Sequence, residues 1–116
     1  MRRELTFLSP SDPIEGMSRI LEEHGIDALP VVDRLGRLVG AVVREDLPQA
    51  RAEARESGRS KVRDWMQAPV TVGPKASLRL LCQVLTQEPT HLAFVVENER
   101  LVGVVAALDV VRYLAG

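Results

Sequence analysis

Residues Leu29–Val43 read LPVVDRLGRLVGAVV, two Val- and Leu-rich runs (28–32 and 38–43) on either side of a turn at Arg34-Leu35-Gly36. The runs lack helical spacing, carry β-branched side chains and flank a turn signal, which predicts paired strands. The same text returns at Ala93–Ala106 as AFVVENERLVGVVA, with runs at 92–96 and 101–105 and a turn around Asn98-Glu99. Val31 and Val32 match Val95 and Val96 at a spacing of 64. After one deletion in the turn, Arg37, Leu38, Val39 and Gly40 match Arg100, Leu101, Val102 and Gly103 at 63. Further out, Asp46 matches Asp109 and Pro10 matches Pro74. The chain is two copies of one unit of roughly 45 residues, and two copies make a pseudo-symmetric pair, since a solenoid needs more repeats to bury its faces.

Helical patterns flank each hairpin. Ser11-Asp12-Pro13 predicts a helix start with a side-chain cap, Ile14, Met17, Ile20 and Leu21 then share one face, and Gly25 marks the stop. In the second copy Ser77 is the cap, Leu78, Leu81, Cys82 and Leu85 form the stripe, and Pro89 closes it. Residues 47–57 and the segment holding Leu108, Val111 and Leu114 predict a helix after each hairpin. Pro69-Val70-Thr71-Val72 predicts the opening strand of the second copy. Each unit therefore reads strand, helix, strand, strand, helix, and the class is α+β with mixed α/β layers. The division is 1–57 for the first repeat, 58–69 for a linker and lead-in, and 70–116 for the second repeat. Glu56–Asp64 is polar and mixed in sign, and the whole charged stretch from Arg51 to Arg63 predicts a solvated face.

Composition narrows the function. The chain has 116 residues, with 15 Lys plus Arg against 16 Asp plus Glu and a net charge of −1, which argues against nucleic acid as a partner. Aromatics are 3%, so the core must come from Val, Leu, Ile and Ala. The single cysteine, Cys82, excludes an internal disulfide, and with His24 and His91 as the only histidines no metal site is identified. No stretch approaches the roughly 18 apolar residues of a membrane span, and Met1–Leu5 lacks the apolar run of a secretory signal. The expected setting is cytoplasmic. No Gly-rich phosphate loop, helical histidine pair or nucleophile–base signature is present, so no catalytic residue is assigned and the chain is expected not to be an enzyme.

The ordered set His24-Gly25-Ile26-Asp27-Ala28-Leu29-Pro30-Val31-Val32-Asp33, Gly36-Arg37-Leu38-Val39-Gly40 and Asp46-Leu47 resembles the cystathionine β-synthase (CBS) domain. Val62-Arg63-Asp64-Trp65-Met66 with Val70–Pro74 resembles that family's lead-in to a second copy, so the chain resembles a tandem CBS pair, or Bateman module. The resemblance implies two repeats packed sheet to sheet with adenosine-binding clefts between them. It also implies a Ser or Thr, two variable residues and an Asp at each cleft, the Asp accepting the ribose hydroxyls and the hydroxyl meeting phosphate. The matching quartets here are Val43-Arg44-Glu45-Asp46 and Ala106-Ala107-Leu108-Asp109: both aspartates are kept and both hydroxyls are lost.

By this resemblance the first site consists of Asp46 on the ribose, Arg44 and Val43 beside it, and Ile26, Asp27, Ala28 and Pro30 around the base. Arg44 can replace the lost hydroxyl by gripping phosphate. The second, weaker site consists of Asp109, Ala106, Thr71, His91 and Leu92, with the bulky Phe94 where the family has proline. The expected function is a regulatory module sensing AMP, ADP, ATP or S-adenosylmethionine as regulatory ligand, with no cofactor required, a homodimer as its assembly and an effector protein still to be named. The apolar face of Leu108, Val111, Tyr113 and Leu114 is the candidate dimer surface. Two plainer readings stand beside these. Asp46 and Asp109 are also placed to cap the helices that follow them, and the lost hydroxyls with Phe94 also fit a dimerisation or protein-docking module with degenerate clefts.

Overall fold

Two hairpins and the helices laid over them make up the molecule. The computed structural model describes residues 6–57, 60–87 and 92–115. The first repeat runs α1 (Ile14–His24), β1 (Ala28–Val32), β2 (Leu38–Val43), a 3-10 turn at Arg44–Asp46 and α2 (Leu47–Ser57). After a second 3-10 turn at Val62–Asp64 come β3 (Thr71–Val72), α3 (Leu78–Gln87), β4 (Leu92–Glu97), β5 (Arg100–Ala106) and α4 (Ala107–Ala115). Among the described residues no helix is long and apolar enough to cross a membrane. The mixed helix-and-strand architecture in two repeats is the predicted one.

The opening strands are shorter than the sequence suggests. β3 has two residues, paired parallel to β4 as Thr71 with Phe94 and Val72 with Val95. Its counterpart in the first repeat is a single parallel bridge, Leu8 to Val31, held by the Leu8 N–H on the Pro30 carbonyl at 3.0 Å and the Val32 N–H on the Leu8 carbonyl at 2.8 Å. Prolines at 10, 69 and 74 lack the donor a longer ladder needs.

The one-residue deletion between the copies is a change of turn. In hairpin one the Gly36 N–H returns to the Asp33 carbonyl at 3.1 Å and Gly36 takes φ +80°, a left-handed position that glycine adopts without a Cβ clash. Hairpin two closes through Asn98 and Glu99, both at positive φ (52° and 68°), a shorter loop built without glycine. Both hairpins carry a register shift at the same place, between Val31 and Val32 and between Val95 and Val96, opposite Val39 and Val102. A shift of one residue reverses which face the following side chains take. Leu38 and Leu101 consequently point to the face opposite that expected from unbroken alternation with Val42 and Val105, and pack between the sheets.

Three apolar clusters result. Leu8, Ile14, Met17, Leu21, Leu29, Val31, Val42, Leu47, Ala50 and Val62 form the core under the helices of repeat one. Val72, Leu85, Ala93, Val95 and Val110 form that of repeat two. Between the sheets lie Ala28, Ala41 and Val43 from the first repeat and Phe94 from the second, with Leu38, Leu92, Leu101 and Val104 against them. The sheets meet at a pseudo-twofold point where Arg37 bridges its own counterpart Arg100. Two matched bonds flank it, the Leu38 N–H on the Glu99 carbonyl at 3.0 Å and the Leu101 N–H on the Gly36 carbonyl at 3.3 Å.

The predicted solvated connection is in part a packed one. Val62 is fully buried in the first core, where Trp65 and Met66 join it, and Arg51 inside the charged stretch bonds across to Ser18 and pairs with Glu22 on α1. The Val62 and Arg63 N–H groups bond the Asp12 and Pro10 carbonyls, each at 2.9 Å. Gln67 then exchanges both backbone bonds with Ala41 at 2.8 and 2.9 Å, extending the outer edge of β2. Met66 crosses directly over Gly40, where an added Cβ would stand only 2.9 Å from its sulfur. Alternating charge predicted solvent correctly for Arg55, Glu56, Ser57 and Arg63, which are exposed, but could not reveal that Ala54 packs on the core or that the one branched apolar residue of the stretch is an anchor.

Helix ends follow the predicted positions with one change of chemistry. α1 has Pro13 at its N-cap with no side-chain cap, because the Asp12 carboxylate instead accepts the Ser9 N–H at 2.9 Å. Ser77 caps α3 by accepting the Leu80 N–H at 3.1 Å. Cys82 and Leu81 are only half-buried beside the second core, and Leu78 is 38% exposed instead of lying in the stripe. Pro89 lies outside the described residues.

Candidate functional site

The first set of predicted site residues lies at the open end of hairpin one. Antiparallel pairing sets Ala28 opposite Val43, and the Arg44 N–H donates to the Asp27 carbonyl at 2.8 Å, so the ends of β1 and β2 are tied beyond the last strand pair. The predicted residues Ile26, Asp27, Ala28, Val43 and Arg44 are thereby brought side by side. Ile26 packs against the first core, Pro30 is fully buried within β1, and Ala28 and Val43 are buried between the sheets, while Asp27 is exposed. The 3-10 turn carries Asp46 to a partly exposed position where its carboxylate makes no hydrogen bond or ion pair to any described residue. Arg44 has a partner of its own: Nη2 donates to the Leu21 carbonyl at 2.7 Å, in a partly buried setting at the C-terminal turn of α1.

The second set of predicted site residues follows the same plan with different side chains. Leu92 pairs with Ala106 and Thr71 with Phe94, whose N–H reaches the Val70 carbonyl at 2.9 Å. Asp109 Oδ2 accepts the Ala106 N–H at 2.9 Å, which is the helix-capping role weighed for it above. Its partner position, Ala107, offers no side-chain donor. Phe94 is 3% exposed and fills space between the sheets beside Ala28, Ala41 and Val43. His91 lies outside the described residues.

An open cleft of about 390 Å³ lies where the connection leaves β2 and enters β3, walled by Asp33, Arg37, Val39, Pro69, Thr71 and Glu99. Only Thr71 of these belongs to the predicted set. The others escaped because they come from a turn, a proline lead-in and the opposite repeat, and nothing local in the sequence says that those segments meet. In this cleft the Arg37 N–H, then its guanidinium and the Leu35 N–H, hold the Asp33 carboxyl below its ordinary pKa. The Arg37 Nε–Asp33 contact is 2.8 Å, so the one arginine on this wall is already engaged.

Comparisons with known proteins agree with the two-repeat fold. The CBS domain profile matches residues 1–53 and 62–116. Inosine-5'-monophosphate dehydrogenase of Korarchaeum cryptofilum is 37% identical over 111 residues, which are 93% of this chain but only 22% of that enzyme. The CBS domain-containing protein YhcV of Bacillus subtilis is 26% identical over 94% of this chain and 78% of its own length. Among solved structures, CBSX2 of Arabidopsis thaliana superposes with a TM-score of 0.84 at 24% identity, covering 98% of this chain and 88% of that one. CBSX2 in complex with AMP gives 0.83 at 25% identity, covering 98% and 90%.

Proposed function

This chain belongs to the CBS domain family as a tandem pair, and on that premise we propose that it is a regulatory module holding an adenosyl ligand in the cleft of its first repeat. The observation that supports the reading is the corner where Ile26, Asp27, Ala28, Val43 and Arg44 meet, followed two residues on by the Asp46 carboxylate, which makes no hydrogen bond or ion pair to any described residue. In this reading Asp46 accepts the ribose hydroxyls and Ile26, Ala28 and Pro30 flank the base. Asp109, Ala106, Thr71, His91 and Leu92 make a weaker second site, with Asp109 already bonded to Ala106. A neighbouring structure of the same fold is a complex with AMP. Binding between the repeats acts on an effector only through a difference in affinity between two inter-repeat arrangements. The dehydrogenase relative shares this region over 22% of its length, and its chemistry forms no part of the proposal.

Thermal shift with AMP, ADP, ATP, S-adenosylmethionine, NAD and Mg²⁺ tests the reading. A ligand at about 100 times its Kd adds roughly 2.7 kcal/mol, and Asp46→Ala should abolish that shift while leaving the apo melting point nearly unchanged. No shift with any adenosyl compound sinks it.

A second reading, a dimerisation or docking module, is favoured by Phe94 in the sheet interface and by Leu108 and Val111 at 56% and 58% exposure on α4. The side chains of Tyr113 and Leu114, expected on the same face, lie outside the described residues. Light scattering that finds a dimer, broken by Val111→Glu in a chain that binds no nucleotide, would establish it.

A further inference from the structure

The charge around the first cleft bears on which adenosyl ligand it takes, and the inference rests on the nucleotide-site reading above. Two backbone-anchored bonds, Arg44 Nη2 to the Leu21 carbonyl at 2.7 Å and the Arg44 N–H to the Asp27 carbonyl at 2.8 Å, gather the end of α1, the lead-in to β1 and the 44–46 turn into one corner. That corner holds Glu23 and Asp27, both exposed, with Glu45 exposed and Asp46 partly exposed on the turn. A helix C-terminus adds its own partial negative charge. Against these stand the Arg44 guanidinium and His24, exposed on the last turn of α1.

Arg44 is placed to balance the helix end, with one nitrogen fixed on the buried Leu21 carbonyl, one of the last four of α1. A phosphate brought to that guanidinium would sit against the negative end of α1 and its carboxylates. The family hydroxyl that would otherwise meet phosphate is Val43 here, which has no donor. We infer that the first cleft selects adenosyl ligands whose 5′ substituent is uncharged or cationic, and discriminates against 5′-phosphates.

The probes are adenosine, S-adenosylmethionine with its sulfonium, AMP and ATP, compared by calorimetry on the full chain at low and at moderate salt. Adenosine and S-adenosylmethionine should bind at least about tenfold more tightly than AMP, the size expected of one phosphate charge set beside partly solvated carboxylates, with ATP weaker again. S-adenosylmethionine ahead of adenosine assigns a cationic preference, and equality assigns a neutral one. Added salt should narrow the gap to AMP. Asp27→Asn with Glu45→Gln, both at exposed positions, should also narrow it severalfold. Arg44→Ala should lower the melting temperature by releasing the α1 cap and, since it also removes a positive charge, leave adenosine ahead of AMP, and Arg44→Lys serves if the alanine variant does not fold. AMP or ATP binding ahead of adenosine overturns the inference and leaves the adenosyl-site reading standing. No binding by any of the four overturns both.

Discussion

The two repeats share a plan and differ in how they are closed. In repeat one the connection folds back over the helix side, Val62 enters the core, and Ile14 at the start of α1 is 3% exposed. In repeat two the matching residue, Leu78, is 38% exposed, and the described core cluster has five buried residues where repeat one has ten. The sheet interface is unequal as well. Repeat one presents Ala28, Pro30 and Ala41 where repeat two presents Leu92, Phe94 and Val104, so the larger side chains cross from the second repeat toward the first. Pseudo-symmetry of sequence thus sets topology and leaves packing free to differ, because a fold tolerates many volumes at one position provided the facing position compensates. The repeat with the larger described core is also the one whose aspartate, Asp46, makes no hydrogen bond or ion pair to a described residue, while Asp109 is bonded into its own helix start.

The largest expected effect tests that crossing. Phe94→Ala should cost about 3–5 kcal/mol in chemical denaturation, since Ala28 and Ala41 are too small to refill the space. A cost below 1 kcal/mol would mean the sheets close up without it and that the interface is not specified by this ring.

The next comparison uses a matched pair, Leu21 on α1 and Leu85 on α3, which are 0% and 2% exposed. Each truncation to Ala falls in the range of about 2–5 kcal/mol. Leu21→Ala should lie toward the top of it and Leu85→Ala toward the bottom, because a thinner shell relaxes more readily into the void. Equal costs would show that the second core is as tightly walled as the first.

A smaller and stabilising effect belongs to the turns. Glu99 holds φ +68° without being glycine, a conformation that costs roughly 1–2 kcal/mol in an L-residue. Glu99→Gly should recover about 1 kcal/mol of this strain, less the added entropy of the unfolded chain, whereas Gly36→Ala in the other hairpin should destabilise. If Glu99→Gly destabilises too, its side chain makes a compensating contact.

The smallest effect is one of pH. Asp33 is held ionised by the Arg37 N–H, its guanidinium and the Leu35 N–H, and nothing equivalent is seen in hairpin two among the described residues. A folded pKa below the ordinary value of about 3.9 contributes stability above that value and loses it as pH falls through the lower, folded one. The stability difference between wild type and Asp33→Asn should therefore be present at pH 7 and shrink to nothing in strong acid. A difference that does not change between pH 7 and pH 2 would show that Asn makes the turn bonds equally well and that charge is irrelevant.

Much of this was legible before any coordinates. β1 and β2 begin and end where the apolar runs do, and α2 spans the predicted 47–57, because hairpins and helices are set by residues a few positions apart whose pattern is local. The candidate site was legible in part: Ile26–Ala28 and Val43–Asp46 are close in sequence to the two ends of one hairpin, so a correct hairpin necessarily joins them. Missed were Asp33, Arg37 and Glu99 on the open cleft, the Leu21 partner of Arg44, and the burial of Val62.

The sequence by itself determined the repeat, the order of elements and the two turns, since each depends on backbone preference and apolar period within a short window. Only the tertiary structure decided that Arg37 meets Arg100 on the pseudo-twofold, that Phe94 rather than its counterpart Pro30 supplies the bulk between the sheets, and that the Arg44 guanidinium faces a helix end. Those outcomes depend on contacts between residues more than twenty positions apart, where side-chain volume and the direction of a hydrogen bond are fixed only once both repeats are in place.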